Sequence, residues 1–229
     1  MSSASRARGA AARSRADRQA MVEPANWGVS PMLSVLIATQ ESERELLPTL
    51  AALVPGASAG LVREVLIADV GSRDATAGVA DAAGCELLVS AGTRGARLKA
   101  AAATARAPWL LFLRPGIVPD VTWIDETRRF MAEAELHGRA GSQAAVFRPG
   151  LGTSRPLWVE ALSLLRRALG ARPNADQGLL IGKNLYREVG GHREDAAEPE
   201  RDLARRLGRR RIATLRSGAV VTARLPAIT

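Results

Sequence analysis

Between Leu33 and Leu113 four short apolar runs alternate with segments of helical composition, and this alternation limits the fold more than any other feature of the chain. The runs are Leu33 to Ala38, Val62 to Asp69, Glu86 to Val89 and Trp109 to Leu113. Runs this short, apolar on both alternations and rich in branched residues, are strands buried on both faces. Helices are predicted over Ser42 to Leu53, from an Asp74 cap to Ala83, and over Thr93 to Arg106. Pro55-Gly56, Gly84 and Pro108 are their expected stops. Strand and helix in strict alternation predict an α/β fold of three layers, with a mostly parallel central sheet covered on both faces.

After Pro119 the rhythm lengthens. A helix is expected over Val121 to His137, a strand over Ala144 to Arg148 and a further helix over Leu157 to Leu169. Asp176 to Gly182 reads as a return to the sheet, followed by a short helix from Lys183 to Val189 that ends at Gly190-Gly191. The last helix spans Pro199 to Leu207, and a final strand lies near Ala219 to Ala223.

A chain of 229 residues with 47% hydrophobic content buries one sizeable core, which predicts one domain over residues 32–229. Residues 1–31 place Arg6, Arg8, Arg13, Arg15 and Arg18 among Ala and Ser with no apolar centre, and read as a disordered basic tail. Met32 opens directly onto the first strand, so it is a candidate start, as is Met21. No apolar run approaches the roughly 20 residues that span a bilayer. The net charge of +9 comes with only 3% aromatics and no nucleic-acid motif. That combination points away from nucleic acid and towards a small acidic partner, a nucleotide diphosphate or an anionic lipid. Cys85 stands alone, which excludes an internal disulfide and a cysteine metal cluster and fits a reducing, cytoplasmic location; it is expected to be packed. His137 and His192 are too isolated to argue a metal site, and the glycines form neither a Walker loop nor a dinucleotide fingerprint.

The second run continues as VLIADVGSRDAT, Val65 to Thr76, a strand that ends in Asp69 and opens into Gly-Ser-x-Asp. Open α/β sheets take ligands at the carboxyl ends of their strands. A carboxylate there either accepts hydrogen bonds from a base or ribose or caps the turn that follows it.

VLIADVGSRDAT resembles the VVDGGSTDGT signature of family 2 glycosyltransferases, and other blocks follow in order. VLIAT, Val35 to Thr39, is similar to the opening strand VIIPT. TRGARLKAAAATARAPWLLFL, Thr93 to Leu113, is similar to RGRGAQLNAGAAAARGDWLLFL of a small, soluble bacterial subgroup, and Leu164 to Glu194 resembles the segment that follows there. EPERDLARRL, Glu198 to Leu207, resembles MEDVELARRL. The resemblance implies a GT-A fold that binds a nucleotide-diphosphate sugar and transfers the sugar to an acceptor.

It also implies roles. Thr39 and Asp69 contact the nucleotide, Arg94 and Gly95 lie in the loop approaching it, and Glu41 stands near where the family carries Asn-Glu. Arg97 and Lys99 replace the family's Gln and Asn, as cations beside the pocket or as solvated helix positions. Asp176 and Gln177 match an Asp-Gln on the acceptor side, and Glu200 falls on the acidic pair that supplies the catalytic base. The departure is Arg114-Pro115-Gly116, where the family carries an acidic motif that binds Mn or Mg. No residue there supplies the carboxylate. Asp120 reads as a surface-loop residue rather than a substitute, so no metal ligand is assigned. Arg114 set against the diphosphate gives a metal-independent transferase. The alternative is a catalytically inactive nucleotide-binding or partner-binding protein of the same fold. The acceptor is undefined, with a lipid-linked one and peripheral contact at the inner membrane face among the expectations.

Overall fold

The computed structural model describes residues 32–150 and 175–222. The basic tail and the helix expected over Leu157 to Leu169 lie outside the described residues. Eight strands form one sheet in the order β3-β2-β1-β4-β7-β6-β8-β5. Strands β1 (Leu33–Thr39), β2 (Val62–Asp69), β3 (Glu86–Val89) and β4 (Trp109–Leu113) are mutually parallel. Helices α1 (Glu43–Ser58), α2 (Thr76–Ala82) and α3 (Arg94–Thr104) make the crossovers between them. The second half adds β5 (Ile117–Pro119), α4 (Trp123–Leu136), β6 (Ala144–Pro149), β7 (Leu179–Gly182), α5 (Lys183–Glu188), α6 (Pro199–Leu207) and β8 (Ile212–Val221). β7 runs antiparallel to β4 and β6, β8 is parallel to β6, and β5 is antiparallel to β8.

The period of two along β1 divides the core. Leu33, Val35 and Ile37 face a layer built from Leu46, Leu50 and Leu53 of α1 with Trp123 and Met131 of α4. Leu36 and Ala38 face the other layer, where Leu98 of α3, Tyr186 of α5 and Leu203 of α6 pack. Every residue of β1 and β4 is buried, as continuous apolar runs in the middle of a covered sheet require. Cys85 packs against the first layer, and burial pushes its thiol up to about 11, so it is a core residue rather than a nucleophile.

Two boundaries differ from expectation for packing reasons. α1 does not stop at Pro55-Gly56 but runs through both to Ser58. A Cβ on Gly56 would lie 2.5 Å from the Trp123 ring, and the Trp123 indole donates to the Ala52 carbonyl at 3.2 Å. Docking on that buried tryptophan holds the last turn against the preference of proline. The final strand begins at Ile212, well before Ala219, and pairs with β6 and β5 on its two sides.

One buried cation organises the edge where the parallel strands end. Arg97, on the first turns of α3, is only 5% exposed. Its Nη1 donates to the carbonyls of Thr39 at 2.6 Å and Ala68 at 2.5 Å, and its Nε to Gly92 at 3.2 Å. It therefore ties the ends of β1 and β2 to the turn that enters α3. The cation remains beside the pocket, since Arg97 is one of the residues lining the cleft, but as a buried tie rather than a solvated helix position. Burial lowers its pKa and Asp69 opposes that effect, but a guanidinium remains charged throughout. Arg97→Met leaves these carbonyls without their donor, at about 1–3 kcal/mol for each one that water cannot reach. We predict a loss of roughly 3 kcal/mol in urea unfolding; Arg97→Lys, with the charge but not the fork, should fall between the two.

Candidate functional site

Asp69 and Thr39 are cross-strand neighbours in the β1–β2 register, which places both side chains at the carboxyl end of the sheet. Asp69 Oδ1 accepts from the hydroxyls of Thr39 and Ser72, each at 2.7 Å. Its Oδ2 accepts from the backbone N–H of Gly71 at 2.7 Å and of Ser72 at 2.6 Å. Four donors occupy a carboxylate that is 2% exposed, so Asp69 is a turn organiser with no lone pair directed at a ligand. In the free protein the polar side-chain atoms of Asp69 and Thr39 are used on each other and on the turn, while Thr39 still lines the cleft described below. Burial opposes ionisation of Asp69, yet the Ser72, Thr39 and Gly71 hydrogen bonds outweigh it and hold the carboxyl below its ordinary value.

Glu41 follows with φ of 47°, the left-handed region that a side chain seldom adopts. Its carboxylate accepts from the N–H groups of Arg73 at 2.9 Å and Asp74 at 3.1 Å, and its own N–H donates to Ser72. The loops after β1 and β2 are thereby laced together. Asp74 takes N–H groups from both, Glu43 at 3.0 Å and Thr76 at 3.0 Å, rather than being the N-cap residue itself.

These loops form one wall of an open cleft of about 720 Å³. Thr39, Glu41, Arg94, Arg114 and Pro199 are among its lining residues. Arg114 is set in place by the turn it begins: Gly116 N–H donates to the Glu45 carbonyl at 2.8 Å and to the buried Thr49 hydroxyl at 2.9 Å, clamping the turn onto α1. Arg94 opens α3, whose N-cap Thr93 accepts from Ala96 N–H at 3.2 Å. Glu200 sits in the first turn of α6.

Four candidate side chains from separate segments meet around Arg114, on the border between this cleft and a smaller cavity that Glu200 lines. Arg94 Nη2 lies 3.2 Å from Glu200 Oε2, Arg114 Nε lies 3.7 Å from Glu200 Oε1, and Arg114 Nη1 lies 3.5 Å from Asp176 Oδ1. Glu200 is thus held between two guanidiniums, with its side chain 11% exposed. The Arg94 contact is an ion pair without hydrogen-bond alignment, which leaves Oε2 and Arg94 Nε unsatisfied.

Other candidates are used differently. Gly95 faces the chain rather than the cleft, since a Cβ there would lie 2.0 Å from the Arg193 carbonyl oxygen. Its smallness lets α3 dock on the segment before α6, a contact that Thr93 completes by donating to the Glu194 carbonyl at 2.7 Å. Lys99 is exposed and pairs with Glu194 at 3.3 Å on the outer surface, away from the cleft lining. Gln177 is buried and donates to the Phe147 carbonyl at 2.8 Å, which joins it to the β6 backbone. Asp120 accepts from Thr122 and from Gly218 N–H, tying β5 to β8.

The metal implied by the resemblance does not fit these residues. A guanidinium, already paired with Glu200 and Asp176, stands where a carboxylate is needed, and among the described residues no three His, Cys, Asp or Glu gather to hold an ion. The residue that the sequence reading passed over is His192. It is wholly buried against Phe112 and Tyr186 behind Glu200, and its lone position gave no periodic or spacing signal that could find it.

No protein-family model and no curated protein matches the sequence. Solved structures do match in fold. TarS 1-349 from S. aureus superposes with a TM-score of 0.59 at 16% identity, over 84% of this chain and 60% of that one. Glucosyl-3-phosphoglycerate synthase from Mycobacterium tuberculosis, in complex with Mn2+, uridine diphosphate and glucosyl-3-phosphoglycerate, gives 0.57 at 20% identity over 80% and 69%. Another structure of that synthase gives 0.59 at 19% identity over 86% and 74%. The chain therefore spans 60% of the TarS 1-349 length. The shared architecture is the mixed α/β fold of GT-A-like glycosyltransferases, with its central sheet and cleft at the carboxyl ends of the parallel strands.

Two predictions test the edge. Asp69 has a folded pKa below its ordinary 3.8, so its stabilisation is present above about pH 4 and is lost as pH falls through the folded value. Asp69→Asn points an NH2 group at N–H or hydroxyl donors and should cost about 2 kcal/mol near neutral pH. The cost should shrink as urea unfolding is repeated towards pH 3. Gly95→Ala should destabilise by about 1–3 kcal/mol through overpacking and speed amide exchange over residues 193–197, where α3 no longer docks closely.

Proposed function

We propose that the chain transfers a glycosyl group from a nucleotide-diphosphate sugar to an acceptor hydroxyl, without a metal, as a member of the family 2 glycosyltransferases. The carrying observation is the ion-pair cluster of Arg94, Arg114, Glu200 and Asp176, two of whose members, Arg94 and Arg114, line the cleft at the end of a GT-A-like sheet. In this reading the nucleotide enters along the loops after β1 and β2, with the diphosphate towards the N-terminus of α3, Arg94 and Arg114. Backbone N–H groups at a helix N-terminus and two guanidinium forks are suited to phosphate oxygens. They supply the charge neutralisation that lets the nucleotide depart.

Glu200 is the base. Its two oxygens face the Arg94 and Arg114 guanidiniums, the same groups that suit the diphosphate, so an entering diphosphate competes with Glu200 for both arginines. Donor binding and base release then become one event. As the acceptor O–H gives its proton to Glu200, the oxygen bonds to the anomeric carbon, and the bond to the diphosphate breaks with its electron pair on the leaving group. Asp176 keeps Arg114 oriented from the acceptor side. The neighbouring synthase is in complex with UDP and glucosyl-3-phosphoglycerate, which favours a uridine donor as the first to try.

A second reading has its own support. Glu200 at rest is ion-paired with two arginines, as it would be in a protein that binds nucleotide and does no chemistry. One set of measurements separates the two. UDP should bind with equal affinity in manganese and in chelator, and Arg114→Ala should weaken binding about tenfold, or roughly 1.4 kcal/mol. Glu200→Gln should abolish transfer by at least about 10²-fold while binding UDP as well as or better than the parent, because it frees both arginines. UDP binding with no turnover of any nucleotide sugar supports the noncatalytic reading; binding only with manganese overturns the metal-free one.

A further inference from the structure

Six buried side-chain polar atoms among the described residues lack a hydrogen-bond partner, and three of them, Arg94 Nε, His192 Nε2 and Glu200 Oε2, belong to this one region. Such groups are rare, and where they gather they mark a site for a polar ligand or water. His192 and Glu200 line a common cavity, with Phe112, Val146 and Leu179 among its apolar walls and Arg114 at the boundary with the open cleft. The cavity measures about 20 Å³. That holds one oxygen atom, since a water needs roughly 10–15 Å³ by the same measure.

The hydrogen-bond network assigns the imidazole. Tyr186 oxygen accepts the His192 backbone N–H at 3.0 Å, and the Tyr186 hydroxyl lies 3.0 Å from Nδ1. The Tyr186 hydroxyl is buried and, among the described residues, Nδ1 is the one acceptor its hydrogen bonds offer, so we assign its proton to Nδ1; burial also pushes the phenol up to about 12, which keeps that proton in place. The proton of a neutral imidazole is then on Nε2, directed away from Tyr186. Burial and the charges of Arg206 and Arg94 keep the ring neutral, at about 3, against the opposing charge of Asp202. The ring is fixed as well as uncharged: it packs edge-to-face with the Phe112 ring, the centroids 4.6 Å apart and the planes at 74°. Nε2–H is consequently a rigid donor with no acceptor, next to a carboxylate oxygen with no donor.

We propose that this cavity is a hydroxyl-binding hole, occupied by one water in the free protein and by the acceptor's reacting hydroxyl during transfer, with His192 Nε2–H donating to its oxygen and Glu200 accepting its proton. One oxygen lone pair is held by His192, and the other faces the cleft. The apolar walls and the volume admit a hydroxyl on a slender carbon, such as the primary alcohol of a polyol, and exclude a ring. His192 thus orients the nucleophile and leaves the nucleotide alone. The proposal rests on the transferase reading for its catalytic half but not for the occupied hole itself.

The test has two arms on the full chain. In the first, nitrogen–proton correlation of the imidazoles should find His192 as the Nε2–H form, neutral from pH 8 to pH 5, with magnetisation transfer from its Hε2 to a bound water. An Nδ1–H form, or no bound water, overturns the hole. In the second, with UDP-glucose as donor and glycerol or the cavity water as acceptor, His192→Phe should lower kcat at least tenfold and leave the UDP Kd within twofold. His192→Gln, which restores a donor, should recover most of the rate. Equal rates in all three overturn the catalytic half. Failure of the parent to bind UDP at all removes the transferase reading, and the first arm then decides the hole by itself.

Discussion

The Arg97 guanidinium is the interaction on which the rest of the structure depends. Parallel strands that stop at one edge leave their last carbonyls facing the cleft, and these must find donors or water. Arg97 reaches Thr39 and Ala68 with one nitrogen and Gly92 with another, so one side chain closes the ends of β1 and β2 and the approach to α3. Burying a cation is costly, and the arrangement is stable because Asp69 lies close by as the counter-charge. Asp69 in turn gathers Thr39, Gly71 and Ser72. Two opposite charges turn what would be a wet, ligand-facing edge into a rigid floor.

That floor moves the chemistry outward. With Asp69 and Arg97 consumed, the groups left to meet a ligand stand one layer farther from the sheet: Arg94 on α3, Arg114 on the turn after β4, and Glu200 on α6. Each is positioned by backbone contacts rather than by the floor. Thr93 caps α3 and holds Glu194, Gly116 clamps onto α1, and Arg206 bonds the Val189 and Gly191 carbonyls beneath α6 while pairing with Asp202. The site is therefore assembled from elements that the sheet does not hold rigidly together.

Much of this was legible in the sequence, and the failures have physical causes. The strands of the first half and α6 were recovered closely because buried parallel strands are continuous apolar runs and α6 has a strong amphipathic stripe. The convergence of Arg94, Arg114, Asp176 and Glu200 was reachable only through family resemblance, since nothing local in any of them points to the others. The direction of Arg97 was not legible: it lies three positions after Arg94 on α3 and lines the same cleft, yet it is buried in the floor while Arg94 reaches Glu200. The docking role of Gly95 was not legible either, because a one-letter pattern does not reveal that backbone lies 2.0 Å from a missing Cβ. β5 is three residues long and carries no periodicity, so only its partner β8 defines it.

The charges at the mouth of the cleft give the free protein a particular thermodynamic state. Arg94 and Arg114 face Glu200 and Asp176, so the cluster is neutral before any ligand arrives. An anion entering such a site exchanges one set of ion pairs for another, and its affinity is the difference between the two. The side chains involved are 11% to 34% exposed, in the range where water still screens ion pairs and each pair contributes little on its own. Exchange is therefore cheap in the direction that matters, because a diphosphate offers more charge and more acceptor oxygens than a carboxylate does. In the proposed function, a metal-bound site gains its anion by adding a bridge, whereas this one would gain it by giving up a carboxylate. That carboxylate is the one whose unsatisfied oxygen shares a cavity with the His192 imidazole, so in this reading the electrostatics of binding and the placement of a nucleophile act on the same group.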